Sequence, residues 1–379
     1  MSRKLNLTPL HIADHPVGLN YKISQIMSLL ENKSNDDDDD VVCMVGICGI
    51  GGIGKTTLAR AVYNSISRKF DGSSFLVDAR ENSMKHGLVH LQETLLLHLL
   101  DENIKLDDVS KGIPIIKRRL RNKKVLLILD DVDNLQQLRS LVGKRDWFGF
   151  GSKIIITTRD KQLLAAHGVK KLYEVKELND HESLELFSMN AFRKNVPDAS
   201  YGEIVKSVVQ YAKGHPLALN VIGSDLFGKT IEEWKSALNK YETIPSKEIL
   251  NVLKVSYDNL DDNEKEIFLD IACFFKGYPK ADVEKTLDAS RFYSKYGIGV
   301  LVDKSLVTIS ESNSVKMHDL IEDLGKDIAR KESPFDPSKR RRLWHHEDVL
   351  EVLTENMVSL KLFYLLDNYF PFEKTLKFH

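Results

Sequence analysis

The chain has 379 residues, with 54 lysines and arginines against 55 aspartates and glutamates and a formal net charge of −1. This length allows two or three domains with cores of their own, and the balanced charge gives no general attraction to nucleic acid or to a membrane surface. No apolar run approaches the ~20 residues that cross a bilayer, and Ser2–Asn6 is polar, unlike the start of a signal peptide. Cys43, Cys48 and Cys273 lack the spacing of metal ligands and predict core thiols of a reducing compartment.

The first forty residues predict a lead segment and a linker. Leu5–Leu30 indicates a short lead followed by a helix with one apolar face. Asp36–Asp40 is a run of like charges that repel one another, and it is either a solvated loop or an ion site.

A glycine-rich loop joins a predicted strand to a predicted helix. Val41–Ile47 is apolar almost throughout, which is typical of a strand buried on both faces of a parallel sheet. Leu58–Ile66 carries apolar residues at helical spacing. The segment between them contains GIGGIGKT, beginning at Gly49, and this fits the phosphate-loop pattern in the context that the pattern requires. The stretch therefore predicts nucleotide binding.

Each residue type in this loop suits the binding of a nucleotide phosphate for a chemical reason. The glycines let the backbone curl until successive N–H groups face a phosphate, and the helix adds its positive N-terminal end. These glycines are Gly49, Gly51, Gly52 and Gly54. We expect Lys55 to reach the β- and γ-phosphates and the Thr56 hydroxyl to ligate Mg²⁺.

Strands and helices alternate after the loop. Further strands are expected at Ser74–Val77, Val125–Leu129, Lys153–Thr158 and Leu172–Val175. This alternation predicts an α/β P-loop NTPase domain with a parallel sheet, helices on both faces and a ligand at the carboxyl ends of the strands.

Charged residues follow two of these strands. Asp130 and Asp131 come directly after Val125–Leu129, as in a Walker B element. We expect Asp130 to hold Mg²⁺ and Asp131 to orient or deprotonate the attacking water, although either alone is also compatible with a helix N-cap. Arg159 follows the next strand, where it either senses the γ-phosphate or makes a surface salt bridge.

The pattern becomes helical from about Asn179. A helical bundle is expected from amphipathic helices at His181–Phe192, Ser200–Ala212, Leu217–Phe227 and Ile231–Tyr241. From about Lys247, three helices and a hairpin predict a winged-helix domain. The helices are Glu264–Phe275, Ala281–Leu287 and Tyr296–Val302, and the hairpin strands are Leu306–Ile309 and Ser314–Met317. Because Tyr296–Val302 carries no basic cluster, DNA binding is not favoured.

Six segments occur in a fixed order: GICGIGGIGKTTLA, KKVLLILDDVD, GSKIIITTRD, GHPLAL, FLDIACFFKG and VKMHDLI. Together they resemble the NB-ARC core of plant nucleotide-binding leucine-rich-repeat immune receptors, over roughly Pro16 to Asn356. Asp133 and the segment Phe268–Phe275 look like the TIR-type branch of that family. The resemblance implies a molecular switch that is ADP-bound at rest and ATP-bound and oligomeric when active.

The resemblance also implies roles for single residues. It implies that Gly49–Thr57, including Thr57, grips the phosphates. It also implies that Lys55 and Asp131 act in hydrolysis and that Arg159 senses the γ-phosphate. Val17 and Gly18 resemble the lead segment that closes over adenine, and Pro216, followed by Leu217, resembles the proline that packs on it. His318 resembles the winged-helix histidine that contacts the ADP β-phosphate, and Asp319 next to it is expected to cap a helix. The family's usual residue at His215 is leucine, a departure that matters little if the side chain faces away from the base.

Five segments are expected along the chain. These are a lead at 1–40, a P-loop nucleotide-binding domain at 41–178, an ARC1-like helical bundle at 179–246, an ARC2-like winged-helix domain at 247–331, and a C-terminal helical linker with a divergent tail at 332–379. The 379 residues contain no recognisable TIR domain and no leucine-rich repeats. We therefore expect a truncated product or a partial gene, and no NAD⁺ cleavage.

The leading hypothesis is an ADP/ATP-binding switch of plant innate immunity that needs Mg²⁺ and is at most a slow ATPase. The alternatives are a nucleotide-locked adaptor or decoy that binds full-length receptors, and a P-loop ATPase with steady turnover. Expected partners are an adenine nucleotide and, through the nucleotide-binding core, further copies of the chain or full-length receptors, with no membrane. The location is cytoplasmic, and also nuclear if Lys339–Arg342 is a nuclear address and not the solvated start of a basic helix.

Overall fold

The computed structural model describes residues 8–31, 42–195, 199–243 and 246–354. The described residues form two compact units, the first within 1–259 together with 299–307 and the second within 260–298 together with 308–379. The acidic run at 36–40, the expected strand start at Val41 and the tail after residue 356 lie outside the described residues.

The first unit is built on a parallel sheet. Its strands are β1 (Val42–Cys48), β2 (Gly72–Leu76), β3 (Val125–Val132), β4 (Ser152–Thr158) and β5 (Lys171–Glu174). They lie in the order β2-β3-β4-β1-β5, and every neighbouring pair is parallel. Parallel strands place their carboxyl ends at one edge, so the residues after β1, β3 and β4 come together there. The expected α/β sheet is confirmed.

Helices cover both faces of this sheet. They are α1 (Leu19–Glu31), α2 (Lys55–Ile66), α3 (Ala79–Leu100), α4 (Val109–Leu120), α5 (Leu135–Leu141) and α6 (Lys161–Ala166). Alternate residues of β3 enter different cores, because successive side chains of a strand point to opposite faces. Leu127 and Leu129 pack with α3, α4 and α5, whereas Leu126 and Ile128 pack with α1 and α2.

A helical bundle follows the sheet within the first unit. It contains α7 (Asp180–Phe192), α8 (Gly202–Ala212), α9 (Pro216–Leu226), α10 (Ile231–Thr243) and α11 (Lys247–Asp258). Phe187 and Trp234 are fully buried and meet edge to face with ring centroids 5.7 Å apart. Pro216 begins α9, where its missing N–H costs nothing.

The second unit combines helices with a short antiparallel hairpin. The helices are α12 (Asp262–Asp270), which continues as a π-helical turn over Ile271–Phe275, then α13 (Lys280–Ala289), α15 (Asp319–Lys331) and α16 (His346–Thr354). Helix α14 (Ser294–Asp303) contributes residues to both units. The hairpin pairs β6 (Thr308–Ile309) with β7 (Val315–Lys316). These elements agree with the expected winged-helix domain.

The basic run Lys339–Arg342 is not a solvated helix start. Arg340 and Arg342 are buried, with side chains 3% and 6% exposed. Arg340 pairs with Asp348, and Arg342 pairs with Glu266 and Asp270. Half of the basic side chains in the run therefore serve the packing of the second unit.

The three cysteines and the helices bear on the expected thiols and on the expected lack of a membrane span. Cys43 and Cys48 are buried, Cys273 is half-buried, and all three are free thiols. None of the described helices has both the length and the apolar character needed to cross a membrane.

Candidate functional site

The loop between β1 and α2 has the backbone geometry of an anion cradle. Gly52 and Gly54 have φ angles of +78° and +98°, a region that side-chain-bearing residues rarely adopt. Gly54 precedes the first residue of α2, and no side chain caps that helix. The first N–H groups of α2 have no partner within the helix, so they are available to an anion at its positive end.

Lys55 is the buried cation of this loop. It is 7% exposed, and its Nζ donates to the carbonyl oxygens of Gly49 and Ile50, each at 2.8 Å. Burial, reinforced by the positive charge of Arg159, lowers the pKa of Lys55 to about 7. These bonds are to neutral oxygens, so the charge is not matched by an anion within hydrogen-bonding distance. A phosphate placed here would restore the charged form.

Asp130 and Thr56 form the candidate magnesium site. Asp130 is fully buried, and its Oδ1 accepts hydrogen bonds from Thr56 Oγ1 at 2.9 Å and from Thr157 Oγ1 at 2.6 Å. Its Oδ2 is buried and has no hydrogen-bond partner. Burial raises the pKa of Asp130, and the negative charges of Asp78 and Asp131 act in the same direction. Carboxylate and hydroxyl oxygens are ligands that Mg²⁺ prefers, so the residues present fit this ion.

Asp131 is held by arginines. Its φ angle is +52°, uncommon for a residue with a side chain, and its N–H donates to Thr157 Oγ1 at 2.8 Å. Arg80 Nε and Nη2 both lie 2.8 Å from Asp131 Oδ2, and Arg159 Nε lies 3.6 Å from Oδ1. The sequence did not single out Arg80, because it lies 51 residues away in the first turn of α3 and belongs to no quoted segment.

Arg159 lies over the phosphate loop at the end of β4. A Cβ atom added to Gly51 would come within 2.6 Å of Arg159 Nη1 and 3.0 Å of the Val252 carbonyl oxygen, so the guanidinium lies directly against the loop. Nη1 donates to the carbonyl oxygen of Val252 in α11 at 2.6 Å, and Nε is buried without a hydrogen bond. Arg159 is thus placed beside both the loop and Asp131, with which it forms a partly buried ion pair, and its role as a sensor of the γ-phosphate stays a prediction.

A pocket between the lead segment and the bundle adjoins the loop. Its lining includes four residues expected to bind the nucleotide: Val17, Gly54, Thr57 and Pro216. Apolar side chains such as Ile53, Val175 and Leu186 complete much of its wall. Gly18 has a φ angle of +68°, and an added Cβ would come within 2.8 Å of the Glu182 carboxyl group. Gly18 therefore allows the lead segment to turn at this position.

His215 and Leu217 approach the loop from α9. His215 is fully buried, with Nε2 2.9 Å from the carbonyl oxygen of Gly51, and the Leu217 N–H donates to the carbonyl oxygen of Gly52 at 3.3 Å. The sequence leaves His215 little importance if its side chain faces away from the base, whereas in the structure this side chain contacts the phosphate loop. Only the fold shows this, since 164 residues separate the partners.

His318 lies in the second unit, where it caps α15. Its Nδ1 accepts a hydrogen bond from the Leu320 N–H at 3.2 Å. Asp319, the expected cap, instead occupies the first helical position and forms an ion pair with Lys276. Glu322 also pairs with Lys276. The contact of His318 with a nucleotide phosphate stays a prediction.

Two family models match the chain. One described as the NB-ARC domain matches residues 19–197, and one described as the winged-helix domain of Roq1-like disease resistance proteins matches residues 261–333. Together they place a nucleotide-binding domain before a winged helix.

Curated relatives agree with these matches. The TMV resistance protein N of Nicotiana glutinosa is 44% identical over 369 residues, which is 96% of this chain and 31% of the relative. The disease resistance protein RUN1 of Vitis rotundifolia is 44% identical over 93% of this chain and 26% of its own length. For RPP2B of Arabidopsis thaliana the identity is 39% over 93% of this chain and 29% of its own length. The chain spans less than a third of these relatives.

Proposed function

The chain belongs to the NB-ARC family, with a Roq1-like winged-helix domain after its nucleotide-binding domain, and we propose that it is an ADP/ATP-binding molecular switch of plant innate immunity. In this proposal it holds ADP at rest and ATP when active. The observation that carries the proposal is the pair of buried groups at the carboxyl edge of the sheet. Neither Lys55 nor the Asp130 Oδ2 atom has a partner of opposite charge within hydrogen-bonding distance among the described residues, and Mg²⁺ with a nucleotide phosphate would supply one to each.

The residues around the loop support an adenine nucleotide. The phosphates would face the N–H groups of the loop and of the first turn of α2, with Lys55 beside them. The base would enter the adjoining pocket, where Val17 and Pro216 offer apolar surface to a flat ring. The choice of adenine over another base rests on the family resemblance.

Mg²⁺ would be held by Thr56 and Asp130. Thr56 donates its proton to Asp130 Oδ1, so the lone pairs of its hydroxyl oxygen are left for a metal. The buried Asp130 Oδ2 supplies a second oxygen, directly or through water. The bound ion would neutralise charge on the β- and γ-phosphates.

The arrangement around Asp131 supports slow hydrolysis. To orient or deprotonate a water molecule, the Asp131 carboxylate needs a free oxygen facing the γ-phosphate. Arg80 occupies Oδ2 and Arg159 lies beside Oδ1, so the general base is restrained. This suits a switch that must keep its nucleotide and does not favour an ATPase with steady turnover.

The partners and the cellular location of the chain are proposed as follows. Association with further copies of the chain or with full-length receptors, through the nucleotide-binding core, rests on the family resemblance. A cytoplasmic location is proposed in preference to a nuclear one, because an import address needs accessible basic side chains. Arg340 and Arg342 are instead buried in ion pairs.

The test is to separate binding from hydrolysis with two variants. Lys55→Ala should lose both ADP and ATP binding, measured by calorimetric titration. Asp131→Asn should bind both nucleotides like the wild type but hydrolyse bound ATP more slowly in a single-turnover assay, because the carboxylate is no longer present to orient water. Equal loss of binding in both variants would overturn the assignment of roles. Wild-type turnover of several per second would overturn the switch.

A further inference from the structure

The start of helix α9 is bound to the rear of the phosphate loop by one side chain. His215 is fully buried and precedes Pro216, the first residue of α9. Its Nδ1 accepts a hydrogen bond from the Ala218 N–H at 3.3 Å, and its Nε2 lies 2.9 Å from the carbonyl oxygen of Gly51. The imidazole therefore has one bond within the helix and one to the loop.

The partners fix the protonation of the ring. A backbone N–H can only donate, so Nδ1 carries no proton, and a carbonyl oxygen can only accept, so Nε2 carries one. His215 is thus a neutral imidazole in the Nε2–H form. A leucine at this position would leave the buried Gly51 carbonyl without this donor.

The bond to Gly51 controls the direction of the next amide. In a trans peptide the C=O of one residue and the N–H of the following residue point in opposite directions. Because His215 holds the Gly51 carbonyl on the α9 side, the Gly52 N–H points to the opposite side. The Leu217 N–H holds the Gly52 carbonyl in the same way, at 3.3 Å, and turns the Ile53 N–H with it.

Gly52 allows the phosphate loop to lie close to the start of α9. A Cβ atom at this position would come within 2.7 Å of His215 Cε1 and 2.8 Å of Leu217 Cβ. Only glycine lets the loop lie against both residues. The same short segment carries Pro216, which lines the pocket proposed for the base.

We propose that His215 is a positioning residue of the nucleotide site. It orients the Gly52 amide toward the phosphates and ties the phosphate loop to the helix that contacts the base. The inference rests on the proposed nucleotide-binding function, because it assigns a role within that site. It adds a determinant of nucleotide affinity that acts through the backbone and touches no part of the nucleotide.

Two substitutions separate the two bonds of the imidazole. In His215→Asn, the side-chain oxygen takes the place of Nδ1 and keeps the cap of α9, but no donor reaches Gly51. In His215→Gln, the amide nitrogen takes the place of Nε2 and keeps the donor to Gly51, but the cap is lost. ADP affinity is measured by calorimetry, and the melting temperature is measured without nucleotide.

His215→Asn should bind ADP on the order of fivefold more weakly, and it should also melt at a lower temperature because the buried Gly51 carbonyl loses its donor. His215→Gln should bind ADP within about twofold of the wild type and melt several degrees lower, because the cap is lost. Either variant alone can overturn the inference. It fails if His215→Asn binds ADP with wild-type affinity, or if His215→Gln is folded and binds ADP on the order of fivefold more weakly than the wild type. If the wild-type protein does not bind ADP, the proposed function fails instead.

Discussion

Two buried cations, one in each unit, differ in what surrounds them. Lys55 is 7% exposed and bonds only to carbonyl oxygens, and its pKa falls to about 7, chiefly because of burial. The Arg342 side chain is 6% exposed, and burial alone would lower its pKa as well. Asp270 and Glu266 outweigh that effect, so the pKa of Arg342 is raised.

The difference shows how a ligand site is told from a structural ion pair. A buried charge is costly unless a counter-charge accompanies it. Arg342 has two carboxylates within its own unit that balance its charge, although its Nη1 atom is buried without a hydrogen bond. Lys55 lacks such a partner at hydrogen-bonding distance, and so does the nearby Asp130 Oδ2 atom. Incomplete pairing of buried charges at one edge is therefore the mark of the proposed nucleotide site.

The largest effect is expected from breaking the complete pair. Arg342→Met should lower the free energy of unfolding by about 3 kcal/mol, because it leaves two partly buried carboxylates without their cation. Chemical denaturation measures this change. The matched control is Arg341→Met, whose side chain is 64% exposed and pairs with Glu266 and Glu332, so its effect should stay below about 1 kcal/mol. Equal effects of the two variants would contradict the structural role given to Arg342.

Removing Lys55, the cation without a counter-charge at hydrogen-bonding distance, should weaken nucleotide binding. Lys55→Ala should weaken ADP binding on the order of 100-fold, because a charge-assisted contact worth ~3 kcal/mol is lost from a desolvated site. Calorimetric titration measures the affinity. Lys105→Ala serves as the control, since this lysine is 77% exposed in the same unit and should leave ADP binding unchanged. Wild-type affinity in the Lys55 variant would remove the basis of the site.

The lowered pKa of Lys55 predicts a pH dependence of binding. Above about pH 7 the nucleotide-free protein holds this lysine increasingly in the neutral form, and binding of ADP must then take up a proton. ADP affinity should therefore fall on the order of tenfold between pH 7 and pH 8.5, with proton uptake visible by calorimetry in buffers of different ionisation enthalpy. Lys55→Arg should abolish the dependence, because a guanidinium does not titrate in this range. An affinity independent of pH in the wild type would show that Lys55 is already charged.

A smaller effect is expected from releasing Asp131. Arg80→Ala removes the guanidinium that occupies Asp131 Oδ2, so this oxygen can accept a hydrogen bond from the attacking water. Single-turnover hydrolysis of ATP should rise about fivefold, the equivalent of ~1 kcal/mol, with ADP affinity unchanged. Arg80→Lys keeps the charge and should give an intermediate rate. A slower reaction in Arg80→Ala would instead mean that Arg80 itself assists the chemistry.

The sequence predicted those parts of the site that are local in the chain. The phosphate loop joins β1 to α2 within a few residues, and its glycines, Lys55 and Thr56 can be recognised by spacing alone. Asp130 and Arg159 were predicted because each directly follows an apolar strand. Where strand ends share one edge of a parallel sheet, such residues meet without further information.

Residues that reach the site through the tertiary fold were not predicted. Arg80 meets Asp131 across the start of α3, and His215 meets Gly51 from the bundle, and neither pairing leaves a pattern in the chain. Lys339–Arg342 shows the opposite failure, because a basic run that looks solvated contains two buried arginines whose partners lie elsewhere in the second unit. Charge patterns in a sequence do not reveal which charges are paired.

The central claim is that the incompletely paired edge of the first unit holds an adenine nucleotide. The most direct measurement is to purify the protein without added nucleotide, denature it and quantify what is released by chromatography. We predict about one ADP per chain with little ATP from the wild type, and almost none from Lys55→Ala prepared in the same way. A wild-type protein that is folded but releases no adenine nucleotide, or that releases a guanine nucleotide, would contradict the account.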